Sequence, residues 1–197
     1  MDEAPETKTR LRTTFVFALL FALLVSVIAF AYFATFARPV TTVILLRHAE
    51  KNIEPNNPNP DLSPAGVIRS QELARMLAGA GINAIFATQY KRTQQTVEPL
   101  ANRTGVPVTV IDAKQSADLA KEILTNHRGQ LVVMAGHNNT VPEVITALGG
   151  PAFGIIPENE FDNMFIVTIY RFGKAKVVKI KYGAESTGGT NSGMMMP

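Results

Sequence analysis

From Thr13 to Ala37 no residue carries a charge, and the stretch from Phe15 through Ala34 is apolar almost throughout. At a rise of about 1.5 Å per residue such a run reaches across a hydrocarbon core of about 30 Å, where a single segment satisfies its backbone only as a helix. The sequence therefore predicts one transmembrane helix over 13–37, behind an N-terminal tail over 1–12. A buried core helix is the poorer reading, because no polar face interrupts the run at helical period. Ala29-Phe30-Ala31 has the small-x-small form of a cleavage site, which makes a removed signal peptide the competing reading. The run exceeds the usual apolar stretch of roughly 7–15 residues, and this favours a retained signal anchor. Lys8, Arg10 and Arg12 crowd the near end, while Tyr32 and Phe33 suit an interfacial aromatic belt at the far end. The expected orientation keeps the N-terminus in the cytoplasm and the rest of the chain on the extracytoplasmic, periplasmic or extracellular side.

Beyond Arg38-Pro39 short β-branched runs alternate with helical stretches, the pattern of a layered α/β domain, here expected over 41–182. Strands are predicted at Thr41–Leu46, Ala84–Ala87, Val106–Val110 and Leu131–Ala135. Helices are predicted from Ser63, its N-cap with Pro64 at the first position, to about Ala80, and over Arg92–Arg103, Ser116–His127 and Val141–Leu148. Phe165–Arg171 and Ala175–Tyr182 read as a closing hairpin turned at Phe172-Gly173-Lys174. The Gly/Ser/Thr/Asn-rich tail over 183–197 is expected to be disordered.

The chain has no cysteine, so disulfides, zinc–thiolate sites, thiol nucleophiles and a lipid-modified cysteine are excluded. Its net charge of +3 comes from scattered lysines and arginines. Nucleic acid is not an expected partner.

Two of the three histidines fall at equivalent places: His48 just past the first strand and His137 just past the strand ending at Ala135. Open α/β sheets bind ligands at the carboxyl ends of their strands. Arg47 precedes His48 directly, and Arg92 sits at a strand-to-helix turn, where a helix N-terminus itself favours an anion. Guanidinium forks match phosphate oxygens, and a neutral imidazole close to them can act as a nucleophile. His127, beside Arg128-Gly129 at a helix end, reads as a dipole partner.

Arg47-His48-Ala49-Glu50, the turn Ala87-Thr88…Arg92-Thr93-x-Gln95-Thr96 and Ala135-Gly136-His137-Asn138 resemble, in order, the three signatures of the histidine phosphatase superfamily, also called phosphoglycerate mutase-like. The similarity runs from about Val43 to Tyr182. It implies a three-layer α/β/α sandwich with a mostly parallel sheet. It also implies a two-step transfer: His48 attacks phosphorus in line, becomes a phosphohistidine and is hydrolysed, while Arg47, Arg92 and His137 hold the equatorial oxygens. No metal and no cofactor is required by this arrangement.

The chain departs from the common pattern in three places. Ala49 stands where glycine is frequent, and Lys51 where many relatives carry serine or threonine, which makes Asn52 a candidate substitute phosphate ligand. Asn138 occupies a position from which some relatives supply a general-acid carboxylate. Candidates for that acid are Glu50 and Asp162, with Asp112 and the rest of the 157–162 cluster behind them. The expected partner is a small phosphorylated substrate or a phosphohistidine-bearing protein, the second because imidazole leaves more easily than an alkoxide. A phosphoryl-binding regulatory module without turnover is the alternative from another class.

Overall fold

The computed structural model describes residues 5–36, 40–170 and 175–186. The expected turn at Phe172-Gly173-Lys174 and residues 187–197 of the tail expected over 183–197 lie outside these, while Ser186, within that tail, accepts from the Phe161 and Asp162 N–H groups. The chain divides into two units, Met1–Arg38 and Pro39–Pro197.

The first unit is α1, Pro5–Phe36. Its segment Arg12–Phe33, with a mean hydropathy of 2.7, is long and apolar enough to cross a membrane. At 22 residues it spans about 33 Å. The helix starts at Pro5 rather than near Thr13, so most of the expected N-terminal tail is helical. Proline suits a first helical position, where its missing N–H costs nothing, and the residues behind it include good helix formers.

The second unit is built on one six-stranded sheet, β1 Thr41–Arg47, β2 Ala84–Thr88, β3 Val108–Ile111, β4 Leu131–Gly136, β5 Asn163–Ile169 and β6 Ala175–Lys181, in the order β3-β2-β4-β1-β5-β6. The first four strands of that order run parallel, and β5 and β6 add antiparallel pairs. Side chains alternate across β1 with the period of two that a pleated strand imposes. Val43 and Leu45 enter a core with α4 (Ser116–Asn126) and α5 (Thr140–Ala147). Ile44 and Leu46 enter a second core with α2 (Pro64–Leu77) and α3 (Lys91–Thr104). Two helix pairs thus cover the two faces, which is the expected three-layer sandwich.

Helix boundaries follow local chemistry. Ser63 caps α2 by accepting from the Gly66 N–H at 3.3 Å, with Pro64 at the first position. α3 ends at Gly105, whose φ of 72° is the left-handed conformation glycine tolerates best. β5 starts at Asn163 and ends at Ile169, shifted toward the N-terminus of its expected span because Asn163 still pairs with Lys181 of β6.

This topology decides where the site lies. β2, β4 and β1 are adjacent and parallel, so their carboxyl ends stand side by side, with Arg47 opposite Gly136 in register. The His48 N–H donates to the Gly136 carbonyl at 2.8 Å, which holds the chain past β1 against the chain past β4. Because β5 runs antiparallel to β1 and pairs Met164 with Leu46, the segment just before β5 arrives at that same end.

Candidate active site

His48 is buried, with Nδ1 2.8 Å from the carbonyl oxygen of its neighbour Ala49. A carbonyl only accepts, so the contact fixes the ring proton on Nδ1 and leaves the lone pair on Nε2. Burial pushes the imidazole pKa down to about 3; the Ala49 bond works against this, and Arg47, Arg92 and His137 add to it. His48 is therefore neutral at neutral pH, with a nitrogen lone pair available. The Ala49 N–H donates to Thr96 Oγ1 at 2.9 Å, tying the turn to α3.

Arg47 is the hub of the site and is only 2% exposed. Its Nη1 donates to the carbonyls of Pro157 at 2.8 Å and Glu160 at 3.3 Å, and its Nη2 meets Glu158 Oε2 at 2.6 Å. The guanidinium lies 4.4 Å from the centroid of the Phe161 ring, which also flanks His48 at 6.0 Å. Arg92 stacks 4.5 Å over the Tyr90 ring. The Nε atoms of both Arg47 and Arg92 are buried and make no hydrogen bond within the protein.

The His137 ring stands 5.5 Å from His48 and 5.0 Å from Tyr90, both edge to face. Its Nε2 lies 2.8 Å from Thr88 Oγ1, and its backbone N–H donates to Thr140 Oγ1 at 2.7 Å. Burial first, then Arg92 and Arg47, push its pKa down to about 4. Arg47, His48, Arg92 and His137 all line one open cavity of about 320 Å³, together with Lys51, Lys114, Tyr90 and Glu158. Two guanidinium groups at one polar cavity suit a small oxyanion.

Three other sequence candidates sit elsewhere. Glu50 is gripped by Arg69, whose Nε and Nη2 reach its two oxygens at 2.7–3.1 Å while Nη1 and Nη2 donate to the Tyr182 and Ala184 carbonyls. It therefore fastens the His48 turn to α2 and the end of β6, and it does not line the cavity. Asp162 alternates with Phe161 and faces away from the cavity, accepting from Lys181 Nζ at 2.7 Å and from the Ser186 N–H. Burial raises its pKa, and these bonds outweigh that and hold it below its ordinary value. Asn52 donates its backbone N–H to the Asp61 carbonyl, and its neighbour Lys51 lines the cavity instead.

The carboxylate at the cavity is Glu158, which also accepts from Asn138 Nδ2 at 2.6 Å. Glu158 belongs to the 157–162 cluster named behind Glu50 and Asp162, and the antiparallel pairing of β5 with β1 brings that cluster to the end of the sheet where His48 lies. Tyr90 and Thr88 lie inside the signature turn, yet residue type alone assigns them no task. Among the described residues no group of three or more His, Asp or Glu gathers as a metal site.

The sequence profile of the histidine phosphatase superfamily (branch 1) matches residues 43–118. No curated protein matches the chain by sequence. Among solved structures, the protein histidine phosphatase SixA complexed with tungstate aligns with a TM-score of 0.56 and 21% identity, over 71% of this chain and 96% of that one. SixA from Agrobacterium tumefaciens aligns with a TM-score of 0.53 and 20% identity, over 73% and 97%. A mycobacterial glucosyl-3-phosphoglycerate phosphatase aligns with a TM-score of 0.55 and 13% identity, over 74% and 100%. At such identities the likeness is one of fold. The matched profile spans the stretch that carries His48 and Arg92, and the fold is shared with these enzymes, so the chain is similar to the histidine phosphatase superfamily in both sequence signature and fold.

Proposed function

We propose that the chain is a phosphatase that hydrolyses a phosphomonoester or a phosphohistidine through a covalent phosphohistidine on His48. The observation that carries this reading is the neutral His48 imidazole, its one proton committed to the Ala49 carbonyl, sharing a cavity with two arginines whose Nε atoms are buried and unpaired. In the first step the Nε2 lone pair attacks phosphorus while the bond to the leaving oxygen or nitrogen breaks, and the leaving atom takes that electron pair and a proton. In the second, water attacks phosphorus, the P–Nε2 bond breaks, and the imidazole recovers its lone pair as inorganic phosphate departs. Arg47, Arg92 and His137 stabilise the charge on the equatorial oxygens, and removing one such donor costs about a hundredfold in rate.

Anchoring through α1, with the catalytic unit on the extracytoplasmic side, belongs to the same reading and rests on the apolar span and on Lys8, Arg10 and Arg12 before it. The substrate would then be a small phosphorylated compound or a phosphohistidine-bearing protein near that membrane.

The alternative, a phosphoryl-binding regulatory module without turnover, draws support from the pairing of the cavity carboxylate, Glu158, with Arg47. An activated aryl phosphate separates the two, because its leaving group needs almost no protonation. Turnover, together with a phosphoenzyme that is acid-labile, alkali-stable and absent from His48→Ala, is the expected result. No hydrolysis would sink the enzyme reading, and a phosphoryl group on His137 would overturn the assignment of His48. Protease digestion of the catalytic unit in right-side-out vesicles tests sidedness.

A further inference from the structure

Thr93 Oγ1 lies 2.7 Å from the Tyr90 carbonyl oxygen and 3.0 Å from that of Thr88. Carbonyls only accept, and a hydroxyl has one proton, so the Thr93 proton is committed there. Thr93 Oγ1 is also 2.9 Å from Thr88 Oγ1, and the hydrogen in that contact must then come from Thr88. Thr88 Oγ1 is in turn 2.8 Å from His137 Nε2, and with the Thr88 proton already used, the hydrogen there must come from the ring. The two carbonyls share the Thr93 proton, the contact between the hydroxyls holds the Thr88 proton and the contact to Nε2 holds the ring proton, and this one assignment satisfies them all. All three side chains are buried, so water does not redistribute the protons.

The neutral His137 ring therefore carries its proton on Nε2 and a lone pair on Nδ1, the nitrogen left for the cavity that His137 lines. A lone pair cannot donate to a phosphoryl oxygen. We propose that Thr88 and Thr93 form a hydroxyl relay that holds His137 in this tautomer, so that binding of a dianionic phosphoryl group requires His137 to take up one proton on Nδ1. The inference rests on reading the cavity as a phosphoryl site.

The groups around His137 agree with it. Arg92, Arg47, Lys51 and Lys114 are cationic and oppose a second proton in the free protein, His48 is neutral, and Glu158 and the ring of Tyr90 complete the wall. A dianion held among these cations reverses the balance, since a neighbouring negative charge favours the protonated imidazole. The proton taken up at Nδ1 then stands beside the phosphoryl group. It is the proton that the leaving atom can accept as its bond to phosphorus breaks, which returns His137 to its neutral form. The relay thus supplies an acid where Glu50 and Asp162 are engaged elsewhere. Thr88 and Thr93 are positioning residues, because they act through His137.

The test is calorimetric binding of tungstate, a dianion that does not titrate near neutrality, to the full-length protein in detergent at pH 7.5. Buffers of different ionisation enthalpy give the number of protons taken up. Wild type is expected to take up about one proton per tungstate, and His137→Gln none. Thr93→Val is the informative variant, being nearly isosteric and distant from the anion. It frees the Thr88 hydroxyl to donate to Nε2, which moves the ring proton to Nδ1, so tungstate should bind with proton uptake near zero and an affinity that no longer falls tenfold per pH unit. Binding without proton uptake in wild type, or unchanged uptake in Thr93→Val, would overturn the relay. Uptake lost in His48→Gln and retained in His137→Gln would also overturn it. Absence of tungstate binding in every protein would instead sink the phosphoryl-site reading.

Discussion

His48 and His137 hold their rings 5.5 Å apart at 64°, and each has one ring nitrogen already bonded, to the Ala49 carbonyl and to Thr88 Oγ1 respectively. Both are buried among arginines, and both have pKa values far below the ordinary 6.5, at about 3 and about 4. Between those values and 6.5 the unfolded chain binds protons that the folded protein does not. Stability therefore rises with pH through this window and is lost on acidification, by up to about 1.4 kcal/mol per pH unit for each histidine. Denaturation midpoints measured from pH 7 to pH 5, above the range where carboxylates titrate, should fall steadily, and the double variant His48→Gln/His137→Gln should flatten the slope. A wild-type midpoint that is flat over that range contradicts the neutral, buried state of both rings.

Glu50 stands two residues past His48, yet its partner is Arg69, 3% exposed and donating to both carboxylate oxygens and to two carbonyls behind them. Breaking one side of such a pair leaves a poorly solvated charge, at a cost of about 3 kcal/mol. Arg69→Ala should lower stability by about that amount. Glu50→Gln keeps the shape but leaves the Arg69 charge without its counter-ion, so it too should destabilise, by about 3 kcal/mol, while the folded protein still turns over an aryl phosphate. Loss of turnover in a Glu50→Gln protein shown to be folded would restore Glu50 as an acid.

A Cβ added to Gly66 would collide with the Glu50 carbonyl oxygen, a backbone atom that also accepts the Ser63 N–H at 2.9 Å. Neither α2 nor the turn after His48 can yield without moving the other. Gly66→Ala should cost about 1–3 kcal/mol and should lower the yield of phosphoenzyme, because the displaced turn carries His48, the proposed nucleophile. Gly79, around which no atom would meet a Cβ, is the matched control.

How much of this the sequence disclosed depends on the range of the contacts involved. β1 and β4 are runs of β-branched and apolar residues each followed directly by a histidine, so the placement of His48 and His137 at equivalent strand ends followed from the sequence, and the adjacency of the two strands did not. Arg92 was legible from the same logic at the turn into α3. The carboxylates were not. Glu50 was read as a cavity residue from adjacency to His48, and its direction is set by Arg69, nineteen positions away and buried on a helix whose rotation the sequence does not state. Glu158 and Asp162 stand in one short acidic segment, and only the register of β5 against β1, with the alternation that follows, turns Phe161 against Arg47 and His48 and sends Asp162 the other way. The direction of the Thr93 and Thr88 hydroxyls depends on distances of a few tenths of an ångström, which no residue pattern encodes.

Glu158 presents the last consequence. Its carboxylate accepts from Arg47 Nη2 at 2.6 Å and from Asn138 Nδ2 at 2.6 Å, in the cavity where a phosphoryl group would meet the same arginine. On Arg47, Nη1 is occupied by the Pro157 and Glu160 carbonyls, so the edge open to bidentate binding is formed by Nε, which has no partner, and Nη2, which holds Glu158. An anion taking that edge sets its charge against the carboxylate on Nη2, and with the Glu158 side chain 76% exposed, displacement of the carboxylate into water is easily accommodated. Glu158 therefore competes with the phosphoryl group, and its charge also opposes the retention of inorganic phosphate after hydrolysis. Glu158→Gln keeps the contact with Asn138 and removes the competing charge. It should tighten inorganic phosphate binding by about fivefold, in line with an exposed ion pair, and should make phosphate a correspondingly stronger product inhibitor of aryl phosphate turnover. Weaker binding in the variant would mean that Glu158 orders Arg47 for its ligand, and the competition argued from the geometry would be wrong.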